Sequence, residues 1–175
     1  MSDISDQRRQ ARLREEQLLK RPPDVQELEE LIRSGKVVQG GFFGPDNRSL
    51  YDIIEEDLGL LWRHGRTVEE VALRMQQLTR AGVAGLGTPV IFENTFEIVV
   101  EEHKGMNICP WPHRGGYRKR ITTIRCLDSG KVLRWTDLGV HMILRHGFFQ
   151  GRGSHYRLDP RQLVEVIFRA GEENA

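Results

Sequence analysis

The hydrophobic period of this chain switches at Pro89, and that change constrains the fold more than any other feature. Before it, apolar residues recur three and four apart: Leu50, Ile53, Ile54, Leu58, Leu61 and Trp62 make one stripe, and Val68, Val71, Ala72, Met75 and Leu78 a second. That spacing gathers side chains on one face of a helix. After Pro89 the period drops to two, with Ile121, Thr123 and Arg125 alternating against Thr122, Ile124 and Cys126, as a strand requires. Helices first and strands later read as class α+β, a helical N-terminal half packed on a small antiparallel sheet.

Capping residues place the boundaries. Residues 4–20 carry charge on all sides and little apolar surface, so they predict a helix that needs a partner or frays, ended by Pro22 and Pro23. Asp24 opens a second helix. Ser49 with Asp52, and Thr67 with Glu70, open the third and fourth, and the short link at Gly65 suggests an antiparallel helical pair. Strands follow at Val90 to Phe92, Phe96 to Val100, Tyr117 to Cys126 and Lys131 to Trp135, with turns at Glu93-Asn94 and Asp128-Ser129-Gly130. Thr136 or Asp137 caps a helix, and Asp159-Pro160 opens the last one. The expected organisation is residues 1–23 as a charged helix and linker and residues 24–175 as a single domain. The helical part of that domain is 24–88, and 89–175 supplies hairpins and two helices.

Two aromatic–glycine runs, Gly41-Phe42-Phe43-Gly44 and Gly147-Phe148-Phe149-Gln150-Gly151, echo each other, but their flanks differ and no repeat is read from them. Gly151-Arg152-Gly153-Ser154 has the composition of a phosphate-cradling turn. A phosphate loop normally follows a strand and opens a helix, whereas this run follows a predicted helix and precedes a strand, so it reads as a turn. Residues 65–75 resemble the first helix of a helix-turn-helix; residues 82–89 are too glycine-rich for a recognition helix, and this part reads as core.

Formal net charge is +1 over 175 residues, which hides a strong asymmetry. Residues 1–102 hold 13 Lys+Arg against 19 Asp+Glu, residues 103–161 hold 12 against 3, and residues 162–175 hold 1 against 3. Such a basic segment attracts an anionic surface or docks on the chain's own acidic helices. Arg114, Arg118, Lys119, Arg120, Arg125, Lys131 and Arg134 cluster around one predicted hairpin, with Trp111 and Tyr117 between them. Cations meet phosphates and exposed aromatics stack on bases, so this set is the candidate nucleic-acid surface.

The same region carries the metal-ligating residue types. Asp128, Val132, Leu138, His141 and His146 stand in the register of a two-cysteine, two-histidine zinc finger, which this stretch of about 22 residues resembles. The resemblance implies a hairpin followed by a helix, a ββα unit. It departs at the ligands, because Arg125 and Asp128 occupy the two cysteine positions. A second set is available: Cys109 and His113, in a loop stiffened by Pro110 and Pro112, with His141 and His146. Four such groups suit a tetrahedral ion, although His141 and His146 lie about 140° apart on an ideal helix and are expected to need a loosened last turn. The alternative is an apolar role for Cys109, a core-edge His141, and a His146 that complements its own helix terminus.

No apolar run is long enough to cross a membrane, and two cysteines give no disulfide framework, so a cytoplasmic protein is expected. No Ser/His/Asp set or carboxylate pair stands out. The residues therefore predict a binding or regulatory module whose basic half meets nucleic acid, with no cofactor required and zinc the one allowed. The second reading is a protein-interaction or self-assembly role for the N-terminal helices. The third is a ββα-metal nuclease in which His113 activates water.

Overall fold

A computed structural model describes residues 2–168; of the acidic last segment, residues 169–175 lie outside the described residues. Six helices and one four-stranded sheet are present: α1 (Ser2–Glu15), α2 (Val25–Arg33), α3 (Leu50–Arg63), α4 (Val68–Val83), β1 (Val90–Phe92), β2 (Phe96–Ile108), β3 (Gly116–Cys126), β4 (Val132–Thr136), α5 (Asp137–His146) and α6 (Pro160–Ile167). A short 3-10 turn, Glu16–Leu19, follows α1. The sheet is an antiparallel meander in the order β1-β2-β3-β4. The fold is α+β.

Local chemistry sets most of the element ends. Ser49 accepts from the Asp52 N–H, Thr67 and Glu70 form a reciprocal capping box, and Asp159 caps α6 with proline in its first turn. Glu93 and Asn94 both have positive φ, 52° and 50°, the backbone of the primed turn that matches strand twist.

Three expectations change. The strand opened by Phe96 does not stop at Val100: β2 runs on to Ile108 and pairs with β3 through to Gly116, with an irregularity between His103 and Met106. The third and fourth helices do not lie along each other. Instead α3 packs mainly on α6, while α4 crosses β2 and meets α5. The N-terminal helix has its partner: the buried Glu15 carboxylate accepts from Trp62 Nε1 at 2.7 Å and from the Val68 N–H at 2.6 Å. It thereby satisfies a free donor at the start of α4. Burial pushes the Glu15 carboxyl up, against the pull of those two donors.

The core lies between the sheet and the helices and is almost wholly apolar. A short polar thread links the sheet to α4. Trp135 Nε1 of β4 donates to Thr79 of α4 at 3.0 Å, and Thr79 shares a 2.8 Å bond with Thr122 of β3.

The echoed aromatic–glycine runs are neighbours in space. Phe43 and Phe148 have ring centroids 5.8 Å apart, and the Gly151 N–H donates to the Phe42 carbonyl at 2.8 Å. A Cβ on Gly44 would lie 2.6 Å from the Ser154 nitrogen, and one on Gly151 would strike the Phe43 carbonyl. Two backbones approach too closely for side chains, which is why both runs carry glycine. The residues 151–154 are thus no phosphate cradle: the N–H groups of Gly151, Arg152 and Ser154 go to Phe42, Asp46 and Gly151 itself.

Candidate metal centre

The loop joining β2 to β3 begins at Cys109 and turns through Pro110, Trp111 and Pro112 to His113. It folds over the C-terminal end of α5, where His141 and His146 project. The ligand atoms of Cys109, His113, His141 and His146 all lie within 4.8 Å of one another. Three separations define the shape: Cys109 Sγ to His146 Nε2 is 3.5 Å, His113 Nε2 to His146 Nε2 is 3.2 Å, and His141 Nε2 to His113 Nε2 is 3.1 Å. Zinc bound by sulfur and nitrogen at its usual bond lengths gives tetrahedral edges of about 3.6 Å for S···N and about 3.3 Å for N···N. These three separations lie close to such edges, and the other three stay within 4.8 Å.

The helix reaches the site without loosening. Thr136 caps α5 by accepting from the Gly139 N–H, and Gly147 ends it at φ 65°. Its N–H still donates to the Ile143 carbonyl at 3.0 Å, and the Phe148 N–H reaches back to Met142 at 3.1 Å. This is a regular glycine-terminated helix end. The expectation of an unwound last turn is therefore corrected: the length of the imidazoles closes the angular gap, with the His141 and His146 rings 5.3 Å apart and at 81°.

Protonation states suit a metal. His113 Nδ1 sits 3.2 Å from the Arg114 carbonyl, so an Nδ1–H donated there leaves Nε2 with its lone pair toward the cluster. Burial first, then the neighbouring imidazoles and Arg145, pushes His141 down to about 4 and His146 down to about 3. Both are neutral at physiological pH, the form that ligates. Burial pushes the Cys109 thiol up to about 11 despite a hydrogen bond from the Trp111 backbone. An ion at the centre would displace that proton and turn the thiol into a thiolate ligand.

Two aromatics brace the ligands. Trp111 stacks on His146 with centroids 4.1 Å apart and planes within 5°. Tyr117 stacks on His141 at 4.1 Å and places its hydroxyl 3.2 Å from Nε2. The sequence assigned both rings to nucleic-acid stacking. Trp111 is buried and has one face on His146, so it offers no platform for a base, and Tyr117 is occupied in the same way on one face.

The basic residues divide. Arg120 is bound by Asp137 at 2.8 Å and approached by Glu102 at 3.5 Å; Arg125 meets Glu97 at 3.8 Å and Lys131 meets Glu165 at 3.4 Å. Arg114, Arg118, Lys119 and Arg134 are exposed and have no ion pair among the described residues. Part of the basic segment is thus neutralised within the chain, and part faces outward.

The hairpin-then-helix order β3, β4, α5 is present, but the ligands are not those of a zinc finger. Arg125 pairs with Glu97 on the sheet, and the loop before β3 supplies Cys109 and His113. His113 is a member of the cluster, with its Nε2 against two other imidazole nitrogens, not a free base beside it. A cleft of about 850 Å³ opens over His113, His141 and His146. Compared with known proteins, the chain matches no family model, no curated protein and no solved structure.

Proposed function

We propose that this protein is a binding module stapled by one zinc ion, held by Cys109, His113, His141 and His146. The observation that carries the reading is the convergence of one sulfur and three imidazole nitrogens within 4.8 Å, with three of their separations near tetrahedral edges. The ion would join the β2–β3 loop to the end of α5, beside the stack of Trp111 on His146. Four protein ligands fill the preferred coordination of zinc and leave no position for a substrate. This supports a structural ion over the metal-nuclease alternative.

Elemental analysis of protein purified without a metal column should return one zinc per chain. Less than about half an equivalent overturns the proposal. Cobalt substituted for zinc should give the intense visible absorption of a tetrahedral ion with one thiolate, lost in Cys109→Ser.

For the outward-facing cations Arg114, Arg118, Lys119 and Arg134, the partner we propose is nucleic acid, on the support of their unpaired, exposed charge. Binding should weaken steeply with salt and with the double reversal Arg118→Glu and Lys119→Glu. Affinity that ignores salt, or survives the reversal, removes this partner.

A further inference from the structure

The cleft over the metal cluster is walled by cations from three separate elements. Arg80 comes from the last turn of α4, Arg114 follows the ligand His113 in the loop, and Arg145 precedes the ligand His146 on α5. None of the three has an ion pair among the described residues. The one carboxylate lining the cleft, Asp137, is already engaged by Arg120, with Arg120 Nε donating to it at 2.8 Å. Among the described residues, three exposed guanidiniums without an ion pair thus line one concavity, where their like charges add. A bound zinc with one thiolate would add a further positive charge at the floor.

We propose that this cleft is an anion-binding site that takes the phosphate group of an organic phosphate, with Arg80, Arg114 and Arg145 as its donors. The proposal rests on the zinc reading in so far as the ion fixes the loop that carries Arg114. A phosphate monoester presents several acceptor oxygens and up to two charges, which suits guanidiniums arriving from different directions better than a single carboxylate does. Gln76 and Tyr117 line the same space and add neutral donors. At about 850 Å³ the cleft greatly exceeds a phosphate ion, and Leu18, Val140 and Leu144 line it too. The site therefore has room and apolar wall for the body of a nucleotide-sized molecule. Leu18 belongs to the 3-10 turn after α1, so the docking of the N-terminal helix through Glu15 completes one side of the cleft.

The same phosphate chemistry could be supplied by a mononucleotide or by a nucleic-acid strand, and the experiment separates them. Zinc stoichiometry is measured first on the full chain. The protein is then titrated calorimetrically with inorganic phosphate, adenosine 5′-monophosphate, adenosine and a short single-stranded oligonucleotide. Adenosine should bind at least about tenfold more weakly than its monophosphate. Arg80→Ala and Arg145→Ala should each cost about tenfold in affinity with zinc retained. Arg161→Ala, at an exposed position of α6 outside the cleft, should cost nothing. Binding of the oligonucleotide alone, lost in the same two variants, keeps the site and makes a strand its source of phosphate. Failure of every phosphate-bearing probe to bind zinc-loaded protein overturns the proposal, as does undiminished binding in Arg80→Ala and Arg145→Ala. If the chain carries no zinc and the monophosphate still binds with the same dependence on both arginines, the cleft stands and the metal reading falls.

Discussion

Gly147 divides two regions that hold themselves together in opposite ways. On its N-terminal side His146 joins a cluster of four ligating atoms around a small space. On its C-terminal side Phe148 and Phe149 are fully buried against Phe43, and the turn behind them is fastened by ion pairs. Asp57, 1% exposed, receives both guanidinium nitrogens of Arg157, Nη2 at 2.7 Å. Asp46 takes Arg48 at 2.6 Å and the Arg152 N–H at 2.8 Å. The aromatic corner contains every partner it needs. On the zinc proposal the histidine corner is completed by an ion from outside the chain, so the two should respond oppositely to a chelator and to substitution.

The sharpest way to break this comparison is to attack the self-sufficient corner. Arg157→Met leaves the Asp57 carboxylate buried without a counter-ion, a loss of about 4 kcal/mol. Burial already pushes the Asp57 carboxyl up, with Arg157 opposing it. Urea unfolding should show the same loss in zinc-loaded and in chelated protein. A loss confined to one of them would mean that the corners are not independent.

Next comes the ion itself. Chelation should lower stability by about 3 kcal/mol, as expected for removing a ligand present at some hundredfold above its dissociation constant. It should also unprotect amides of residues 109–117 and the end of α5 to hydrogen exchange while leaving Phe42–Phe43 and Phe148–Phe149 protected. Equal loss of protection at both corners would contradict the division at Gly147.

A smaller effect separates the corners by pH. Arg48 first, and the Arg152 N–H with it, holds the Asp46 carboxyl well below the usual carboxylate range. A depressed folded value contributes stability that is complete above the unfolded value, about 4, and is lost as pH falls through the folded one. Asp46→Asn should therefore cost about 2 kcal/mol at pH 7 and progressively less below pH 4. Chelated protein is the right sample, since acid also strips the metal. A cost that stays constant down to pH 3 would show that Asp46 acts by shape and not by charge.

Much of both corners was legible in the chain, and the limits are physical. Caps at Ser49, Thr67 and Asp159 are local, so spacing reveals them. Cys109, His113, His141 and His146 are recognisable as a ligand set because few other residue types bind a transition metal. Direction is another matter. A capping box says where α4 begins but not that it leaves α3 to cross the sheet. Glu15 reaches a donor 53 residues away, which no local pattern announces. Residues 101–107 of β2 show no alternation because most of their side chains are exposed; only pairing with β3 makes them a strand. The two aromatic–glycine runs were visible as an echo, yet only the fold shows that each glycine makes room for the other run. Trp111 and Tyr117 were noticed for stacking, and only the fold shows that each ring has an imidazole of the chain on one face.

The stack of Tyr117 supplies the smallest and most discriminating effect. Tyr117 offers the cluster two things: a ring on His141 with centroids 4.1 Å apart, and a hydroxyl 3.2 Å from Nε2. If the imidazole is neutral and its Nε2 faces an ion, the hydroxyl cannot also donate to that lone pair, and the ring is what orients the ligand. Tyr117→Phe should then cost under about 0.5 kcal/mol and keep a full zinc equivalent, because the stack survives. Tyr117→Ala removes the stack and should weaken zinc affinity by about tenfold, in the range for loss of a group that orients a ligand. Competition with a chromophoric chelator reads both. A Phe variant that loses zinc as badly as the Ala variant would make the hydroxyl part of the coordination sphere and leave one of the four proposed ligands without its place.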